Sequence, residues 1–144
     1  MKPLYTAEIT AQGDGRKGAV KSQDGNLNVR LAVPDEMGGD GAAGANPEQL
    51  FAAGYGSSFL DTLIKLADSR QEELKEPKVI VKVSIHDDNE TGYHLSIALN
   101  VVEEALREDL LSALVKKSHQ LCPYSKAISS NVEILLTSNK FEVT

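Results

Sequence analysis

Polar and apolar residues alternate along the first third of the chain. Tyr5, Ala7, Ile9 and Ala11 are separated by Thr6, Glu8 and Thr10, a two-residue period that predicts a strand with one buried face. Gly13-Asp14-Gly15 can take the positive backbone angles of a tight turn. Val20 to Ser22 begins a second strand, and Asp24-Gly25-Asn26 reads as a hairpin turn. Leu27, Val29, Leu31 and Val33 then alternate with Asn28, Arg30 and Ala32 until Pro34 ends the run. A three-stranded antiparallel meander is predicted.

Residues 35–45 are too glycine-rich for a regular element. A helix is predicted from Pro47 to about Asp68, with Asn46 as N-cap and Pro47 at the first helical position, where its missing N–H costs nothing. No charge falls between Leu50 and Leu60, which predicts burial nearly all round. Val79, Val81, Val83 and Ile85 alternate again, Asp87 to Gly92 makes a turn, and Tyr93, Leu95, Ile97, Leu99 and Val101 form the return strand. A second helix is expected from about Glu104 to Leu121, with Leu106, Leu110, Leu114 and Leu121 on one stripe. Pro123 interrupts it, leaving room for a short helical turn, and Val132, Ile134 and Leu136 make a last strand. The order βββ-α-ββ-α-β with antiparallel hairpins is α+β.

Composition narrows the classes. The 144 residues, 41% hydrophobic, suit one compact domain spanning 1–144. A net charge of -6 argues against nucleic acid and anionic membrane surfaces as partners. There is no apolar run behind N-terminal basic residues and none long enough to span a bilayer, so a cytoplasmic protein is expected. The single cysteine, Cys122, has no internal partner for a disulfide.

Several short signals invite chemistry and fail on context. The loop Gly38-Gly39-Asp40-Gly41-Ala42-Ala43-Gly44 is followed by Ala45-Asn46, where a phosphate-binding loop needs Lys and Ser or Thr. Gly54-Tyr55-Gly56-Ser57-Ser58 imitates a nucleophile elbow, yet both serines fall inside a predicted helix rather than on a strand-to-helix turn. His119 and Cys122 are spaced as half a zinc site without a second half, and no metal is expected. Taken singly, Glu48 complements a helix dipole, Arg16 is a turn residue, and Cys122 is a small buried hydrophobe.

Taken together, these residues have a different meaning. Arg16 after Gly13-Asp14-Gly15, the run from Asn46 through Glu48 to Phe59, and Cys122-Pro123-Tyr124-Ser125 resemble the organic hydroperoxide resistance proteins, thiol peroxidases of the osmotically inducible protein C superfamily. The likeness extends from Tyr5 to about Leu136. It implies antiparallel sheets around a long central helix in an intertwined homodimer. It also implies roles. Arg16 would hold a reactive thiolate, Glu48 would position Arg16, and Cys122 would resolve the oxidised intermediate. The attacking cysteine of the family matches Ser58, so the resemblance requires position 58 to face Arg16 and to lie within bridging reach of Cys122. Phe51, Tyr55 and Phe59 would line an apolar substrate pocket, although core packing explains them equally well. No bound cofactor is implied; the external reductant would be dihydrolipoamide or a lipoylated protein, and the substrate an organic hydroperoxide.

The chemistry explains the residue types. A thiolate attacks one peroxide oxygen and expels an alkoxide, and a guanidinium favours the charged sulfur. The planar fork of Arg can grip a carboxylate while serving the reacting atoms, and the carboxylate offsets the cost of burying the cation. A sulfenic acid then condenses with a second thiol, and an external dithiol reopens the disulfide. A serine hydroxyl cannot follow that course, so the chain is expected to be inactive as written. Ser58 is either a replacement of cysteine made for structural work or a natural residue of a protein that binds apolar, lipid-like ligands without turnover. The partner residues remaining in register favour the former.

Overall fold

The computed structural model describes residues 1–144, which divide into two compact units, Met1–Leu50 and Phe51–Thr144. In the first unit, β1 (Ile9–Gln12), β2 (Ala19–Ser22) and β3 (Asn28–Arg30) form an antiparallel sheet in sequence order. Gly13 (φ 88°) and Gly15 (φ 60°) carry the left-handed angles that turn β1 toward β2 through a short 3₁₀ turn at Gly15–Lys17. Leu31 bridges to Ala45, so the glycine-rich loop between them returns to the edge of β3.

Two expectations for this unit change. The first strand begins at Ile9 rather than Tyr5, and its expected buried face is open: Tyr5 is 78% and Ile9 47% exposed. A two-residue period marks a face that needs covering, but within this unit no helix lies over the sheet. The loop is also not wholly irregular, since Asp35–Met37 makes a second 3₁₀ turn.

Helix α1 runs from Pro47 to Ser69. Its start follows the predicted chemistry, with Asn46 Oδ1 accepting from the Gln49 N–H at 2.9 Å and Gln49 Oε1 accepting from the Asn46 N–H at 3.2 Å. This reciprocal cap satisfies two donors at the helix start. From Phe51 onward the helix belongs to the second unit. It buries one stripe, Tyr55, Phe59, Leu63 and Ala67, spaced by four residues. The expectation of burial nearly all round is therefore corrected: Ala53 and Ser57 are exposed, and Ser58 and Leu60 are only half-buried. Lack of charge permitted burial on every face, but the partners in this unit cover only one.

The second sheet contains β4 (Lys78–Asp88), β5 (Gly92–Val102), β6 (Glu133–Ser138) and β7 (Phe141–Glu142), in that order. Helices α2 (Glu108–Leu121) and α3 (Pro123–Ile128) lie between β5 and β6. Ile97, Leu99 and Val101 of β5 join the α1 stripe and Leu111, Leu114 and Val115 of α2 in one core, with Val79, Val81 and Val83 of β4 packed against it. No helix is long and apolar enough to cross a membrane.

The α+β class stands, with three differences in detail. β6 pairs with β5 in parallel, because the chain crosses back through α2 and α3 instead of a tight turn. A short hairpin adds β7 after Asn139 and Lys140, both with positive φ. Helix α2 starts at Glu108, not Glu104, and buries Leu111, Leu114, Val115 and Ser118, while Leu121 is 41% exposed. The late start has a physical cause. The buried carboxylate of Glu103 accepts from the N–H groups of Lys75 (3.0 Å) and Ala105 (3.1 Å), which holds the preceding segment in a turn.

Leu99 is fully buried at the centre of this core. Leu99→Ala is expected to lower unfolding free energy by about 3 kcal/mol, the usual cost of lost transfer energy plus a cavity. Urea denaturation followed by circular dichroism checks it.

Candidate functional site

Two of the expected pairs of side chains approach each other, one in each unit. In the first unit the short turn at Gly15–Lys17 carries Arg16 to Glu48, in the capped first turn of α1. The contact is bidentate: Nη1 donates to Oε2 at 2.8 Å and Nη2 to Oε1 at 2.6 Å. These hydrogen bonds from Arg16 are the main reason that the Glu48 carboxyl lies below its ordinary 4.5, against the opposing effect of burial. A parallel fork of this kind fixes the orientation of the guanidinium as well as its charge.

The second unit brings Ser58 and Cys122 together. Ser58 lies beside the buried stripe of α1, and its Oγ is 3.8 Å from Cys122 Sγ. Cys122 is fully buried at the junction of α2 and α3. Its extended backbone (φ -60°, ψ 126°) breaks the helical run as the residue before Pro123 must. Its N–H donates to the Ser118 carbonyl at 2.7 Å, and its own carbonyl accepts from the Lys126 N–H at 2.9 Å. The thiol position is thus set by two helices at once.

A polar chain lies one helical turn away. The Tyr55 hydroxyl is 2.7 Å from Ser125 Oγ, and the same Oγ is 2.8 Å from His119 Nδ1. Tyr55 and Ser125 are fully buried. Burial raises the Tyr55 phenol above its ordinary 10.0, opposed by its bond to Ser125 and reinforced by the nearby Cys122. Tyr124 stacks on Tyr55 at 6.1 Å, and Phe51 meets Tyr55 edge-on at 6.4 Å. Gly54 makes room for that stack, because a Cβ there would stand 3.1 Å from the Tyr124 hydroxyl.

The structure therefore brings Arg16 to Glu48 and Ser58 to Cys122. Of the three expected pocket residues, Tyr55 and Phe59 are fully buried in the core and Phe51 is half-buried against it. Ser57, the other serine of the elbow-like run, is exposed and donates to the Ala53 carbonyl within its own helix. No group of three or more His, Cys, Asp or Glu side chains is placed to hold a metal ion. Sequence reasoning missed the contact of His119 with Ser125. The signal was the three-residue spacing His119, Cys122, Ser125, which puts one hydroxyl within reach of two neighbouring helices.

The family model for OsmC-like proteins matches residues 38–137. The chain belongs to the OsmC-like family. Within that family it is 43% identical over 138 residues to the organic hydroperoxide resistance protein OhrA of Bacillus subtilis, covering 94% of this chain and 96% of the relative. It is 40% identical over 138 residues to the organic hydroperoxide resistance protein of Xanthomonas axonopodis pv. citri, covering 94% and 95%. Among solved structures, the organic hydroperoxide resistance protein OsmC of Legionella pneumophila superposes with a TM-score of 0.89 at 41% identity, covering 95% of this chain and 98% of that one. OhrB of Bacillus subtilis gives 0.87 at 36% identity, covering 95% and 100%. The OsmC-like match takes in Glu48, Ser58 and Cys122, while Arg16 precedes it.

Burial holds the His119 imidazole below its ordinary 6.5, so the folded chain favours the neutral ring. A group with a depressed folded pKa contributes stability that is complete above the unfolded value and lost as pH falls through the folded one. Unfolding free energy is accordingly expected to fall between pH 7 and pH 5, and to fall less in His119→Asn. Urea titrations of both proteins at the two pH values measure the difference.

Proposed function

We propose that this chain has the scaffold of a two-cysteine thiol peroxidase for organic hydroperoxides, with Ser58 standing where the attacking sulfur belongs. The observation that carries the reading is the 3.8 Å approach of Ser58 Oγ to the sole cysteine, Cys122. The relatives named as organic hydroperoxide resistance proteins support the substrate class.

With sulfur at position 58, the reaction balances in three steps. The thiolate attacks the peroxide, breaking the O–O bond; the alkoxide takes a proton and leaves as alcohol, and the sulfur becomes a sulfenic acid. The Cys122 thiol attacks that sulfur, forming a disulfide and releasing water. An external dithiol, dihydrolipoamide or a lipoyl group on a protein, exchanges with the disulfide and regenerates both thiols. In this reading Arg16 stabilises the thiolate and the developing negative charge, Glu48 holds Arg16, and Phe51, the half-buried one of the three aromatics, contacts the alkyl chain. A reducing cytoplasm keeps Cys122 a thiol between turnovers.

The working unit in this proposal is a homodimer. Its support is the set of large apolar side chains that the first unit leaves open to water, Leu4, Tyr5 and Ile9, which association would cover. The second reading, a binding protein for apolar ligands, is favoured only by Ser58 itself. A hydroxyl there leaves the fold intact and removes the chemistry.

The chain as written is expected to show no turnover of cumene hydroperoxide with a dithiol. Ser58→Cys is expected to raise consumption on the order of 10³-fold or more, as removing or restoring a nucleophile does elsewhere, with one disulfide formed per chain. Peroxide assay with thiol titration measures both. A Ser58→Cys protein that consumes no peroxide defeats the enzyme reading, and lipid released from the denatured chain would then favour the binding reading.

A further inference from the structure

Cys122 sits at a break between two helices. Its distance from α1 therefore depends on whatever ties α3 to α1. The aromatic stack of Tyr55 on Tyr124 resists separation but does not fix register, since stacked rings slide at little cost. A hydrogen bond does fix register, because it weakens steeply with distance and angle.

Ser125 supplies that bond. Its hydroxyl, fully buried, meets the phenol of Tyr55 on α1 and the imidazole of His119 on α2. One small group on α3 therefore touches both flanking helices. The geometry is a ladder of two rungs. Tyr55 and Ser58 are three residues apart on α1, Cys122 and Ser125 three apart around the start of α3, and the pairs run 55 to 125 and 58 to 122. Three residues separate neighbours on one helical face. The 2.7 Å rung thus sets the spacing of the 3.8 Å rung beside it.

We propose that Ser125, held between Tyr55 and His119, is the positioning residue that keeps Cys122 in bonding register with position 58. This rests on the reading that position 58 carries sulfur in the working enzyme. Ser125 touches neither the peroxide nor the reacting sulfurs. It raises the effective concentration of one thiol against the other, so that the sulfenic acid meets Cys122 before a second peroxide or a foreign thiol.

The alternative is that these bonds only stabilise the fold, and thermodynamics separates the two. A bond that stabilises reduced and oxidised forms equally leaves the dithiol–disulfide equilibrium unchanged; one that holds the two positions in register moves it. In the full chain bearing Ser58→Cys, the equilibrium constant for closing the disulfide with Cys122 is measured in glutathione redox buffers, with and without Tyr55→Phe. The second change removes one oxygen and keeps the ring. The constant is expected to fall about tenfold, the worth of one buried hydrogen bond. Ser125→Ala in the same background is expected to lower it at least as far, and His119→Asn, which keeps a nitrogen near the place of Nδ1, by less than about twofold. A constant unchanged or raised by Tyr55→Phe overturns the proposal, as does a Ser58→Cys protein that forms no disulfide at all. Peroxide consumption plays no part in this measurement. A protein that closes the disulfide with the expected dependence on Tyr55 but consumes no peroxide keeps the positioning role and loses the enzyme reading.

Discussion

Packing one stripe of α1 against β5 and α2 is the constraint on which the second unit depends. Tyr55, Phe59, Leu63 and Ala67 occur at every fourth position and carry the burial of the long helix. Within this unit the polar contacts of the candidate site lie at the margin of that stripe. Ser58 immediately precedes Phe59, so its side chain is carried to the edge of the core, where Cys122 is met. Tyr55 belongs to the stripe and also ends in a hydroxyl. Burying it requires a partner, and the partner, Ser125, lies three residues beyond the cysteine. Hydrophobic packing and polar satisfaction thus select the same placement of α3.

Much of this architecture was legible in the sequence for reasons that can be named. Asn46 and Pro47 announced the start of α1, and the reciprocal bonds of Asn46 with Gln49 show why the signal was strong. The β4–β5 hairpin followed from uninterrupted alternation on both sides of a polar turn. The start of α2 was not legible. The pattern places it at about Glu104, and only the three-dimensional position of the Lys75 N–H shows that the neighbouring Glu103 carboxylate holds this segment in a turn. The parallel pairing of β6 was also hidden, since Val132, Ile134 and Leu136 alternate in the same way for either direction. Pattern gives the face of a strand but not its neighbour.

The candidate pairs could be named from the sequence only through a resemblance, since no local pattern connects their members. Glu48 and Arg16 are 32 positions apart and Ser58 and Cys122 are 64 apart. No local rule joins residues at those distances; a family resemblance does. The His119–Ser125–Tyr55 chain shows the limit of reading residues singly. His119 and Cys122 are spaced as half of a zinc site that lacks its other half, and the structure turns the His119 Nδ1 to the Ser125 hydroxyl six residues on. The stacked imidazoles of His86 and His94, 4.9 Å apart on the β4–β5 hairpin, are exposed and follow simply from being cross-strand neighbours.

The crossover that makes β6 parallel to β5 also carries the thiol. A parallel pair cannot form from a tight turn, so α2 and α3 must be laid down before β6 can dock. Pairings between segments distant along the chain are slow to form because loop closure precedes any gain from contact. Cys122 lies inside that loop. A chain in which α2 and α3 have not yet docked leaves that sulfur, fully buried in the folded state, open to capture by another chain.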